Sequence, residues 1–157
     1  MKKMQLVLVS AALALGMATP AMAAQSDPEV IIYRFPGVRD DGGGNGVGFA
    51  TAFYCTSFSG DSNLIRFVTR RSDGSLASNV PFTIQHLETV TALTHFGGGQ
   101  IGSTLATGLV NGGGTTAIAA TSTNIICTAM SFDAAIGKPD GVALRGIRFS
   151  PVPGSQE

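Results

Sequence analysis

Cys55 and Cys127 are the only thiols of this 157-residue chain. Two thiols can form a disulfide, contribute to a metal site, or cycle between redox states. They lie 72 residues apart, with one pairing available. A metal site would need more ligands, and the only imidazoles, His86 and His95, stand at irregular spacing. In an exported chain an even cysteine count predicts a bridge. Closing so long a loop is worth roughly 4 kcal/mol in the chain-entropy account. A Cys55–Cys127 disulfide is therefore expected, with no cofactor and no bound metal.

Other residues test the chain for catalysis. His95-Phe96-Gly97-Gly98-Gly99 is similar to the oxyanion segment of esterases, but the G-x-S-x-G nucleophile turn is absent. Gly60-Asp61-Ser62-Asn63 is similar to the nucleophile block of GDSL-type hydrolases, yet no histidine follows His95 to act as its base. A Ser62–His95 pairing stays open, because triads are assembled in space. Of the carboxylates only Glu88 and Asp133 border predicted strands. The run Gly42 to Gly48 fits neither a dinucleotide nor a P-loop spacing. Asp40, Asp41 and Asn45 could offer oxygens to a calcium ion, but a plain hairpin loop is the expectation. No catalytic set is complete, so the chain is expected not to be an enzyme; a small hydrolase using His86 or His95 is an alternative.

Arg66, Arg70 and Arg71 form a small basic group, with Arg145 and Arg148 later in the chain. Arginine favours bidentate anion contact. Arg66, Arg70, His86 and His95 are the candidate ligand-binding residues. Acids and bases number 10 each. That balance argues against a nucleic-acid partner. A hydrophobic fraction of 44% excludes disorder along the whole chain.

The elements that must position these residues begin after a leader. Lys2 and Lys3 precede the apolar run Leu6 to Met17, and Ala21-Met22-Ala23 offers a small-x-small cleavage site. That layout predicts a secretory signal peptide over 1–23 and a single domain over 24–157. The protein is then periplasmic or extracellular. No later apolar run is long enough for a membrane helix, so no integral membrane segment is expected in the mature chain.

The rest reads as short strands separated by turn clusters. Val47 to Phe58 alternates, with Thr51, Phe53 and Cys55 on one face. Asp73-Gly74 marks a hairpin between Leu64–Arg71 and Val80–Gln85. Val30 to Phe35 is expected to end at Pro36-Gly37, and Asp40 to Gly46 to be loop. Glu88 to Phe96, Thr115 to Thr121, Ile125 to Phe132 and Val142 to Phe149 complete the set. Seven to nine strands without a helical period predict an all-β fold, an immunoglobulin-like antiparallel β-sandwich, with a small closed barrel as the alternative. The chain has no tryptophan, and Ile125 stands where an immunoglobulin domain has its corner tyrosine. Cysteines in the middle of two strands would pin either two sheets or two neighbours.

The stretches Thr121 to Cys127 and Arg148 to Glu157 resemble small exported bacterial β-sandwich proteins of unassigned function. The resemblance implies a sandwich in the periplasm or outside the cell and no catalytic residue. Fimbrial subunits are the nearest functional class by composition, although the polar, Pro-containing end of this chain differs from theirs. The expectation is an exported, non-enzymatic sandwich with a binding or cell-surface role, for which a protein or a glycan is the partner class. A subunit of a surface fibre is the alternative.

Overall fold

The computed structural model describes residues 28–43, 45–136 and 140–149. The expected signal peptide over 1–23 lies outside the described residues, as does the stretch 150–157. Among the described residues there is no helix, and so none long and apolar enough to cross a membrane.

Ten strands form two sheets: β1 (Val30–Asp40), β2 (Phe49–Ser57), β3 (Asn63–Arg70), β4 (Leu76–Ile84), β5 (Thr89–Leu93), β6 (Ser103–Thr104), β7 (Val110–Ala120), β8 (Ile125–Asp133), β9 (Gly141–Leu144) and β10 (Ile147–Arg148). One sheet runs β10-β1-β7-β3-β4, the other β6-β5-β2-β8-β9. All pairings are antiparallel except β5 with β6. The architecture is a β-sandwich, and neither sheet closes on itself as a barrel.

Alternation decides which side chains enter the layer between the sheets. Thr51, Phe53, Cys55 and Ser57 of β2 are all fully buried, as are Ile65, Phe67 and Thr69 of β3. Rings at Phe35, Phe53, Phe67 and Phe82 follow one another at 5.7 Å between centroids, crossing from one sheet to the other and back. Each contact of this kind adds about 0.5–1.5 kcal/mol beyond simple burial.

β4 begins at Leu76 and β7 at Val110, ahead of the expected Val80 and Thr115, and the short β6 was not expected. Two further differences have a visible cause. Pro36-Gly37 does not end β1. Gly37 takes φ +82°, and the register against β7 shifts there. The strand absorbs the pair as a bulge and continues to Asp40. The expected last strand is broken at Arg145-Gly146 into β9 and β10. These pair with different sheets, so the segment straps one side of the sandwich. Gly146 allows this, because a Cβ there would lie 2.4 Å from the Phe35 ring.

The bridge is present. Cys55 and Cys127 are bonded to each other, and they are register partners on the adjacent strands β2 and β8. It therefore ties neighbours within one sheet. The inter-sheet bridge of immunoglobulin domains is not the arrangement here.

A second, smaller apolar cluster lies on the outer face of the β2 sheet. Ala50, Ala52, Leu93, Phe132 and Ala134 are buried there against Phe96, Tyr54 and Met130. The stretch from His95 to Gln100 folds over that face. Gly98 N–H donates to Ala134 O at 2.7 Å, and Tyr54 Oη donates to Gln100 Oε1 at 2.5 Å. Burial pushes the Tyr54 hydroxyl above its usual range.

Candidate functional site

Two features of the sandwich present chemistry: a buried polar centre at one end and an open groove along one side.

The polar centre forms where β1 and β5 end and β2 begins. Asp40 is 1% exposed and His95 8%. His95 Nδ1 lies 2.8 Å from Asp40 Oδ1, and Nε2 lies 3.0 Å from the carbonyl of Val47. Thr107 Oγ1 donates to Asp40 Oδ2, and Gly42 N–H donates to Oδ1 at 2.8 Å. Beside them Thr94 Oγ1 accepts from Thr51 N–H at 2.9 Å and donates to Arg39 O at 3.2 Å. A buried carboxyl group is tolerable only with its oxygens satisfied, and here three partners serve it.

A carbonyl oxygen can only accept, so His95 Nε2 donates to Val47 O. Nδ1 faces Asp40 Oδ1. Both ring nitrogens are committed. The centre fastens three loops: the glycine-rich β1–β2 loop through Gly42 and Val47, the β5–β6 loop through His95, and the β6–β7 loop through Thr107.

Ser62 is not part of it. Its Oγ accepts from Gln85 Nε2 at 3.2 Å, at the opposite end of the sandwich. The structure does not assemble a Ser62–His95 pair. His86 is also at that far end, where its Nδ1 accepts from Gly60 N–H at 3.0 Å. In the glycine-rich loop Asp41 Oδ2 caps Phe49 N–H at 3.0 Å. Among the described residues no group of three or more His, Cys, Asp or Glu could hold a metal.

The arginines are separately engaged. Arg66 grips Glu29 with two bonds, Nε to Oε2 at 2.7 Å and Nη2 to Oε1 at 2.9 Å, and reaches Asn79 Oδ1 at 3.2 Å. The hydrogen bond to Glu29 holds its guanidinium above its ordinary value. Arg70 donates to Gly74 O at 2.9 Å across its own hairpin. The four candidate ligand-binding residues, Arg66, Arg70, His86 and His95, are therefore not gathered in one place. Arg71 bonds Leu109 O at 3.0 Å and Leu76 O at 2.8 Å, holding the β6–β7 loop.

The groove runs along the side opposite the β9–β10 strap. It has a volume of about 320 Å³ and lies between β4 of one sheet and the β5–β6 edge of the other. Phe82 and Val90 form its floor, half-buried against the core. Thr89, Thr91 and Ser103 supply hydroxyls, Ile101 stands 90% exposed at one end, and Glu88 is the only charged side chain lining it.

Sequence reasoning singled out His95 but missed Asp40 and Thr107 as its partners. Asp40 sat beside Asp41 and a run of glycines, which reads as solvated loop. Its one signal was placement: it follows Val38 at a spacing of two, the period of an inward strand face. The groove left a fainter trace in Thr89-Val90-Thr91, a strand segment polar on one face.

No family model, no curated protein and no solved structure matches this chain.

Proposed function

We propose that this chain is an exported, non-enzymatic β-sandwich that acts by binding a partner at or beyond the cell surface. The observation that carries the reading is the open groove beside β5. It combines an apolar floor, a hydroxyl rim and a single carboxylate. Such a mixture suits recognition of a ligand with both apolar and hydrogen-bonding parts. The disulfide supports export, since thiols remain reduced in the cytosol and pair in oxidising compartments. The committed ring nitrogens of His95 support a structural use of that imidazole. The sequence supports export as well: Lys2 and Lys3, the apolar run Leu6 to Met17 and Ala21-Met22-Ala23 have the layout of a secretory leader.

Expression in a bacterial host with cell fractionation tests the export. The expected product is found outside the cytoplasm and begins near Ala24. A cytoplasmic, uncleaved and reduced product would overturn that part. Amide spectra of the mature protein titrated with oligosaccharides and with peptides test binding, with shifts expected at Thr89, Val90 and Thr91. Hydrolase activity abolished by His95→Ala would overturn the non-enzymatic reading.

A further inference from the structure

The outer face of the β1 sheet departs from what water-facing strands ordinarily carry. Alternation and register define that face. Arg66, Val68 and Arg70 of β3 stand opposite Ala119, Ala117 and Thr115 of β7. The same three β7 residues stand opposite Ile31, Arg34 and Pro36 of β1. Ile147 of β10 extends the middle row beyond Arg34. Phe149 N–H donates to Ile32 O at 2.8 Å, and Arg34 Cζ lies 5.5 Å from the centroid of the Phe149 ring. The solvated side of an antiparallel sheet is normally polar. Here the central strand offers alanines, and Ile31, Ile147 and Phe149 remain 40%, 47% and 38% exposed along the strap edge. An apolar surface of this kind, left contiguous, marks an interaction site.

Charge separates the two sheets. Among the described residues every arginine that lies in a strand belongs to β1, β3 or β10, and the strands of the other sheet hold neither arginine nor lysine. On the outer face Arg66 is matched by Glu29. Among the described residues Arg34 and Arg70 are in no ion pair. Arg70 donates to Gly74 O, a neutral acceptor that leaves its charge in place. The face thus joins an apolar strip to two uncompensated cations.

We infer that this face lies against the surface of a bilayer rich in anionic headgroups. Ala117 and Ala119 keep its middle low and open, which suits an extended surface better than a small ligand. Ile31, Ile147 and Phe149 enter the boundary between headgroups and acyl chains. Arg34, held over the Phe149 ring, meets phosphate with its planar fork, and Arg70 adds attraction beside it. A second copy docked through the same patch would set two cationic faces together. The groove lies on the side away from the strap, so neither reading depends on the other.

The mature, disulfide-bonded protein is tested by co-sedimentation with vesicles of phosphatidylcholine alone or of phosphatidylcholine and phosphatidylglycerol in equal parts. Binding is expected on the mixed vesicles, weakening as salt rises, and only slight on phosphatidylcholine. Arg34→Gln and Arg70→Gln, both at exposed positions, should each weaken it by about fivefold. The chain has no tryptophan, so a single indole can locate the contact. Phe149→Trp emission should move to the blue on mixed vesicles. Phe58→Trp, at a position 49% exposed just after β2 of the other sheet, should not respond. No binding to mixed vesicles, equal shifts from both indoles, or an affinity indifferent to both arginines would overturn the inference. A Phe149→Trp shift that follows protein concentration without lipid would give the face to a second copy instead. The same shift produced by soluble polyglutamate would give it to an acidic chain, and either result ends the bilayer assignment.

Discussion

Cys55 and Cys127 sit directly opposite each other on β2 and β8, their Cα atoms 4.2 Å apart, at the close spacing of a non-hydrogen-bonded antiparallel pair. The two strands pair over nine residues from Phe49↔Asp133 to Ser57↔Ile125. The bridge therefore fixes a register that the ladder already specifies. Its contribution is concentrated in the unfolded chain, where it closes a loop between residues 72 apart.

Replacing both cysteines with alanine should accordingly preserve the fold and lower its stability by roughly 4 kcal/mol. The melting temperature should fall by about ten degrees or more. Cys55 is fully buried and Cys127 is 6% exposed, so the folded protein should resist a soluble thiol that reduces it promptly in denaturant. Mass spectrometry after thiol treatment with and without denaturant reads this directly. Equal reduction under both conditions would contradict the burial.

The Asp40–His95 centre should govern the three loops it joins. Asp40→Ala leaves Thr107 Oγ1 and Gly42 N–H without their acceptor and His95 Nδ1 without its partner. Stranding buried donors of this kind costs about 3 kcal/mol or more. Hydrogen exchange should accelerate first at residues 42–48 and 104–108, while β3 and β7 stay protected. Uniform acceleration over all strands, or none, would show that the centre is not a local fastening.

Most of the layered architecture was legible in the sequence, because alternation is a direct consequence of one buried face per strand. Thr51, Phe53 and Cys55 read as one inward row, and they are one. The limits came where tertiary context overrides a local signal. Pro36-Gly37 carries the chemistry of a stop, yet β7 continues past it and the strand follows as a bulge. Asp40 carries the chemistry of a loop, yet His95, 55 residues on, supplies it with a buried partner. Whether the cysteines join two sheets or two neighbouring strands could not be read at all. Two mid-strand cysteines fit a bridge between sheets as well as one within a sheet, and only the pairing of β2 with β8 decides it.

The β5–β6 loop depends on a close approach. A Cβ at Gly97 would lie 2.4 Å from Ala134 Cβ and 2.5 Å from Ala134 O. Backbone cannot yield as a flexible side chain does, so Gly97→Ala should cost about 1–3 kcal/mol. It should also separate Phe96 from the cluster around Phe132 and weaken the Gly98 N–H to Ala134 O bond. Denaturant unfolding gives the energy, and exchange at Gly98 gives the locality. A variant as stable as the parent, with Gly98 equally protected, would contradict the packing.

Alkaline pH should act through Tyr54. Burial raises its hydroxyl above the usual value of 10.0, so the folded state holds that proton more tightly than the unfolded chain does. Below about pH 10 the group is neutral in both states and its contribution is fully present. As the pH rises past that point the unfolded chain ionises first, and stability falls until the folded-state value is reached. Tyr54→Phe should flatten that alkaline limb while costing about 1 kcal/mol at neutral pH for the lost bond to Gln100. In a Tyr33→Phe background Tyr54 is the only phenol, and its absorbance titration should have a midpoint above 10.0. A midpoint at or below that value, or an unchanged alkaline limb in the phenylalanine variant, would show that Gln100 and Met130 do not shield the hydroxyl in solution.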